Sequence, residues 1–259
     1  MYHSNVKKVL NELPELTVDK FLADGFNLRF QLAQFLGISK EVLEIQLLEG
    51  PKNLVEIYDE IFNPEEAGYF YEISVGTRHL LELASWHLSE SADYIGDTLR
   101  LQASFARGHH LDFGGGIGTH ALAAASMPEV EKVWFVDLNP YNRAFAEARA
   151  KQLGLQKRFH CCRDLSDSEL PQIFDTITCL DVLEHIKSPS DQLDIFADRI
   201  HPHGTILLNW YFFKGFRKEY PFHFDERDIV EKFFHTISSR FIEVFHPYLI
   251  TARTYKVLH

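Results

Sequence analysis

Apolar and polar residues follow two different rhythms along this chain, and the change falls near residue 108. Before it, apolar positions recur at helical spacing. Phe21, Leu22, Phe26, Leu28, Phe30, Leu32, Phe35 and Leu36 form one such stretch ending at Gly37. Thr17 and Asp19 are suited to cap its start, and Gly25 interrupts it, so two shorter helices fit as well as one. Lys40–Glu49 and Pro51–Phe62 read as short helices, Pro51 being a favourable first helical residue. Gly76–Ser89 and Ala92–Arg107 have the spacing of amphipathic helices. Residues 1–107 are therefore expected to form a helical cap packed on the C-terminal domain.

Beyond residue 108, short apolar strands alternate with helical stretches, which predicts an α/β fold with a parallel sheet covered on both faces. The expected strands after the first are Glu131–Leu138, Arg158–Cys162, Phe174–Leu180 and Thr205–Trp210. The expected helices are Pro140–Leu153, Ser190–Ile200 and Asp225–Phe234, with a Pro-x-Gly turn at 202–204. Phe241–Phe245 and Ile250–Val257 are placed to close the sheet as a hairpin. The second domain thus spans residues 108–259.

The densest chemical signal lies between His109 and His120. Leu111 and Phe113 alternate with polar neighbours as in a short strand, glycines stand at 114, 115, 116 and 118, and an apolar run begins at Ala121. Strand, glycine turn and helix bring backbone against a nucleotide, because glycine allows positive φ and leaves no Cβ in the way. Gly116-Ile117-Gly118-Thr119-His120-Ala121 also fits the dinucleotide pattern G-x-G-x-x-A, and Asp137 lies near the spacing of about 20 that this pattern expects. A carboxylate at the end of the second strand is suited to ribose hydroxyls in either kind of enzyme. Asp137 alone therefore leaves both an S-adenosylmethionine and a nicotinamide cofactor open.

Leu111-Asp112-Phe113-Gly114-Gly115-Gly116-Ile117-Gly118 resembles the first signature of the class I S-adenosylmethionine-dependent methyltransferases. The run from Phe174 to Ile186 resembles the F-D-x-I-x-x-x-x-V-L-E-H-I signature of their small-molecule branch. His201-Pro202-His203-Gly204-Thr205-Ile206-Leu207 resembles the L-x-P-G-G-x-L turn, departing from it at His201 and in having a single glycine. The matches cover residues 109–210 and favour this family over a nicotinamide-dependent oxidoreductase.

The resemblance implies a Rossmann-like methyltransferase sheet, mostly parallel with an antiparallel C-terminal end, behind the N-terminal cap. It implies S-adenosylmethionine as cofactor and methyl transfer to a small-molecule acceptor, with a catalytically silent cofactor-binding scaffold as the alternative. Gly114, Gly116 and Gly118 would abut the methionine part, with Asp112 positioning its amino group. Asp137 would hold the ribose, with Leu138 and Asn139 beside the adenine. Asp164 and Leu165 would meet the adenine amino group and ring. Asp181 would face the cofactor, and Arg78 in the cap is a candidate for its carboxylate.

The acceptor leaves fewer traces. Trp210-Tyr211-Phe212-Phe213 is a candidate wall, and His185, His223 or a cap tyrosine are candidate proton acceptors. If 181–185 turns helically, Asp181, Glu184 and His185 share one face. Some ubiquinone-pathway O-methyltransferases carry a comparable metal-binding cluster, but the expectation here is local hydrogen bonding and no metal.

Composition narrows the partners. A formal net charge of −11 disfavours a broad surface for nucleic-acid phosphates. The sequence shows neither an apolar run of membrane-spanning length nor a signal-like leader, so a soluble cytoplasmic protein is expected. Its 3 cysteines, Cys161, Cys162 and Cys179, include no Cys-x-x-Cys pair, so reduced thiols are expected and a structural zinc is not. The pattern assigns no oligomeric state.

Overall fold

The computed structural model describes residues 13–89, 91–218, 220–244 and 252–258. Seven strands form one sheet: β1 (Gly108–Phe113), β2 (Val130–Val136), β3 (Phe159–Cys162), β4 (Phe174–Cys179), β5 (Ile200–Leu208), β6 (Phe241–Val244) and β7 (Arg253–Val257). Their spatial order is β3-β2-β1-β4-β5-β7-β6. The first five run parallel, and β7 is antiparallel to both β5 and β6. The expected antiparallel end is therefore present; the outer parts of the expected hairpin, Phe245, Ile250 and Thr251, lie outside the described residues.

Helices α6 (Thr119–Ser126) and α7 (Pro140–Gln152) cover one face of the sheet. Small alanines at 121, 124, 125, 146 and 150 let them approach Val133 and Phe135 of β2. The other face is covered by α8 (Pro189–Arg199) and α9 (Arg227–Arg240). There Phe174, Phe196 and Phe233 are fully buried, each contributing about 1.5–3 kcal/mol by leaving water.

The cap begins with α1 (Val18–Asp24), where Thr17 Oγ1 accepts a hydrogen bond from Lys20 N–H at 3.3 Å. Gly25, at φ 64°, ends α1, and α2 (Leu28–Leu36) comes next, so the glycine does divide the stretch. The next expectation fails: Lys40–Ile61 is one helix of 22 residues, α3, running through Gly50 and Pro51. Gly50 is needed there, because a Cβ would sit 3.1 Å from the Leu81 backbone. Residues 64–74 wind irregularly and end in a π turn, Phe70–Ser74. Then come α4 (Arg78–His87) and α5 (Ala92–Phe105).

The cap shares its core with the glycine turn. Leu28, Leu32, Leu43, Leu47, Leu80 and Ala84 pack with Ile117 and Phe145. Leu101 of α5 packs on Leu207 of β5 and Ala252. Strand β5 also differs from expectation. It starts at Ile200, pairing Phe174 with Ile200 and Thr176 with Thr205, so the Pro-x-Gly residues bulge out of a strand they were expected to precede.

Candidate active site

β1 lies between β2 and β4, so the chain leaves its C-terminal end where the strand order reverses, and open α/β sheets hold ligands in that crevice. Gly114, Gly116 and Gly118 take φ of 70°, 56° and 79°. Gly114 N–H donates to Val136 O at 2.7 Å, and Gly118 begins α6. A Cβ on Gly115 would stand 2.4 Å from the Phe135 ring and 2.5 Å from Asp112 Oδ2. At Gly114, Gly115 and Gly118 a Cβ has no room, so only glycine fits there.

Asp112 is 3% exposed, and its Oδ2 has no hydrogen-bond partner among the described residues. Burial, reinforced by the charge of Asp137, raises its carboxyl to about 7. A buried acceptor facing a glycine cradle fits a cationic amino group of a ligand.

Asp137 accepts hydrogen bonds from Gly116 N–H at 2.9 Å, Asn139 N–H at 2.8 Å and the Asn142 amide at 3.2 Å. It therefore also holds the glycine turn in place. Burial raises it to about 6 against these bonds. Asn139 caps α7 and donates through Nδ2 to Gly76 O at 3.1 Å, while Leu138 lies against Gly68. Asn142 meets His79 Nδ1 at 3.1 Å. The start of α7 thus ties Asp137 and the glycine turn to the cap.

Asp164 accepts from Ser166 N–H at 2.9 Å and pairs with Arg163, and the Ser166 hydroxyl leads the causes that lower its pKa. The Arg163 guanidinium also forks onto Glu72 of the cap at 2.6 and 2.7 Å. Leu165 packs at the margin of the sheet core. Arg78 opens α4 at the edge of the cap.

On the other side of the crevice, Asp181 has φ 56°, so the expected helical turn over 181–185 does not form; only Leu183–His185 turns, as a 3-10 helix. Asp181 Oδ1 accepts from Asn209 Nδ2 at 2.6 Å, and Asn209 also bonds the Tyr94 hydroxyl. Asp181, Glu184 and His185 therefore do not form the face that helical spacing predicts. The described cluster is instead Glu184, His185 and His223, with one ligand atom from each lying within 4.8 Å of the others. Glu184 is 2% exposed, its Oε2 is unpartnered among the described residues, and burial next to Asp181 raises it to about 8.

His185 Nδ1 is 2.9 Å from the Tyr71 hydroxyl, and its ring meets those of Tyr71, Phe222 and His223. Burial lowers it to about 3, so the imidazole is neutral. Tyr71 lies in the π turn of the cap, an irregularity that recurs at functional sites. His223 Nδ1 is 3.0 Å from Phe213 O. Trp210 packs against Phe233 and Tyr255 beside the sheet, whereas Tyr211 lies against His223. Sequence reasoning missed Tyr94, Asn142 and Asn209. Asn209 was the findable one, being a polar residue directly after an apolar strand, at the ligand end of the sheet.

Fold and crevice define a Rossmann-like nucleotide-binding domain with a carboxylate on its first strand and another at the end of its second. A family profile described as a methyltransferase domain matches residues 87–258. The chain belongs to the class I S-adenosylmethionine-dependent methyltransferases, and the nicotinamide reading of the glycine turn is set aside. It is similar to the mitochondrial ubiquinone biosynthesis O-methyltransferase of Schizosaccharomyces pombe, at 30% identity over 48% of this chain and 46% of that one. The ubiquinone biosynthesis O-methyltransferase of Xanthomonas euvesicatoria is 30% identical over 42% and 45%. The chain spans about half the length of these relatives. Among solved structures, the N-methyltransferase NodS of Bradyrhizobium japonicum, in complex with S-adenosylhomocysteine, superposes with a TM-score of 0.53. The identity is 14%, covering 73% of this chain and 100% of that one, which is a likeness of fold.

Proposed function

We propose that this protein transfers a methyl group from S-adenosylmethionine to a small-molecule acceptor. The observation that carries the reading is the buried, unpartnered Asp112 Oδ2 beside a turn that leaves no room for a Cβ at Gly114, Gly115 and Gly118. The cofactor supplies a methyl group already activated on a sulfonium. The work of the chain is then orientation, which contributes up to about 7–11 kcal/mol to a bimolecular step. Asp112 with Gly114, Gly116 and Gly118 takes the methionine part. Asp137 takes the ribose, and Leu138, Asn139, Asp164 and Leu165 surround the adenine. Asp181 closes the cofactor side, and Arg78 reaches the carboxylate from the cap.

The acceptor enters between the sheet and residues 1–107, where Tyr71, His185 and His223 meet. His185 stays neutral in its buried setting, so it keeps a lone pair for the Tyr71 hydroxyl. For an acceptor that must lose a proton, Tyr71 takes it while its own hydroxyl proton passes to His185 Nδ1, with the His223 ring packed against His185. The acceptor is a small molecule rather than a nucleic acid, as the net charge of −11 favours, and we place the protein in the cytoplasm, where unpaired thiols stay reduced.

A second reading is favoured by the orphaned Glu184 Oε2: Glu184, His185 and His223 would hold a divalent cation that polarises an acceptor oxygen. S-adenosylhomocysteine release on a metabolite panel tests the first reading, and NAD and S-adenosylhomocysteine titrations accompany it. Binding of S-adenosylhomocysteine without turnover of any acceptor would favour the scaffold alternative. Loss of turnover on chelation, with cofactor affinity intact and activity restored by Mg2+ or Mn2+, would support the cation.

A further inference from the structure

A second group of ligand-bearing side chains lies at the opposite edge of the sheet from the hairpin. β3 is an edge strand, and His160 and Cys162, two residues apart, project from the same face of it. The loop after β3 brings back Asp167, so that one ligand atom from each of the three lies within 4.8 Å of the others. Glu169 adds a carboxylate oxygen 3.6 Å from His160 Nδ1. We propose that His160 through Nε2, Cys162 and Asp167 hold one borderline-soft divalent metal ion of the zinc class, with Glu169 beside His160 Nδ1 as the carboxylate behind the imidazole ligand.

Three observations carry this. The first is the donor set: imidazole, thiol and carboxylate are ligands of zinc, at about 2.0–2.3 Å from the ion. The second is unmet bonding capacity, since His160 Nε2 is buried without a partner among the described residues and Cys162 is a free thiol, 2% exposed. The third is charge. Asp167, Glu169 and Asp164 surround the thiol, opposed by Lys132. A dication is favoured by that negative surrounding. On binding, the Cys162 sulfur forms its bond to the metal and its proton passes to solvent. Both carboxylates are on the solvent side of an edge strand, which gives the ion a way in.

The site stands apart from Glu184, His185 and His223, which include no sulfur and lie beyond β1 and β4. Its consequence is local: the ion would pin the loop that carries Asp164 and Leu165. The cysteine also gives the test a specific readout. Titration of the full chain with Co2+ is expected to give a thiolate-to-cobalt charge-transfer band saturating at one equivalent, which added Zn2+ abolishes. Cys162→Ser should remove the band and Cys161→Ser should leave it, because Cys161 packs on the other face of β3.

Asp167→Asn and Glu169→Gln guard against loss of fold, since both are loop residues and the former keeps the oxygen that accepts from Glu169 N–H. Each should weaken Co2+ binding by at least about tenfold while leaving the metal-free melting temperature unchanged. Absence of the band, its survival in Cys162→Ser, or undiminished affinity in both carboxylate variants would overturn the site.

Discussion

At the residue scale, the cofactor reading turns on Asp112 and the turn beside it. A carboxyl raised to about 7 must lose its proton before it can pair with an ammonium group. S-adenosylhomocysteine affinity should therefore fall about tenfold per pH unit below pH 7 and level off above it. Calorimetric titration across pH 5.5–8.5 reads this directly, and Asp112→Asn should flatten the profile and weaken binding throughout. An unaltered profile in that variant would remove Asp112 from the pocket. Gly116→Val tests the cradle. Its φ of 56° makes a side chain strained by about 1–2 kcal/mol. The nearest atom, Leu83 Cδ1 at 3.0 Å, is a flexible end, so the variant should fold. Binding of S-adenosylhomocysteine should be lost nonetheless, and retained affinity would contradict the assignment. Asp112 and the glycines were legible because spacing in sequence equals placement in a tight turn. Asp137 was legible as a strand-end acid, but not as the acceptor that fixes Gly116.

Between elements, the most far-reaching contacts belong to Arg149, in the last turn of α7. It is 0% exposed. Its guanidinium donates to Gln31 Oε1 at 2.7 Å and Gly25 O at 2.9 Å in the cap, and to Ile117 O at 2.8 Å in the glycine turn. Burial lowers its pKa to about 9, so it remains charged at neutral pH. Arg149→Ala would orphan these acceptors at about 1–3 kcal/mol apiece, and a destabilisation of about 3–5 kcal/mol is expected. Hydrogen exchange should rise first in α1 and α2, with cofactor affinity falling in step. Arg149→Lys should not rescue the variant, because an ammonium lacks the planar fork that reaches three separate acceptors. A near-neutral effect on melting temperature would show that the cap is held by its apolar core alone. Local periodicity cannot reveal such a residue, since its partners lie 118, 124 and 32 positions away. The same limit explains α3: Gly50 and Pro51 locally favour a break, but packing of Gly50 on α4 carries the helix through. It also explains the false helical face at Asp181, whose positive φ accompanies its tie to Asn209 just beyond β5.

For the molecule as a whole, two populations of buried and half-buried groups make stability depend on pH in opposite directions. Burial lowers His79 and His120 to about 4, and His87, His110 and His185 to about 3. Below about pH 6.5 the unfolded chain binds protons at these sites that the folded one does not. Their contribution is therefore full above that pH and declines as pH falls toward 3. The carboxyls behave inversely. Burial raises Asp137 and Asp181 to about 6, Asp112 and Glu82 to about 7, and Glu184 to about 8. Their contribution is full below the unfolded carboxyl values near 4 and is lost as pH rises through the folded values. Between about pH 4.5 and 6.5 the two slopes oppose each other, so the cofactor-free melting temperature should be nearly flat there. Above 6.5 the histidines no longer contribute a slope, while Asp112, Glu82 and Glu184 continue to titrate. The melting temperature should then fall between pH 6.5 and 8.5. Glu184→Gln should remove part of that alkaline loss, because the amide is isosteric and carries no charge to bury. Saturating S-adenosylhomocysteine should remove another part, since an ammonium beside Asp112 stabilises its ionised form. Differential scanning calorimetry of the wild type, the variant and the liganded protein at pH 5.5, 6.5, 7.5 and 8.5 separates these contributions. A melting temperature that climbs from pH 6.5 to 8.5 in the unliganded protein would show that these carboxyls are solvated and ionised in solution, and would remove the electrostatic basis for an ammonium site at Asp112.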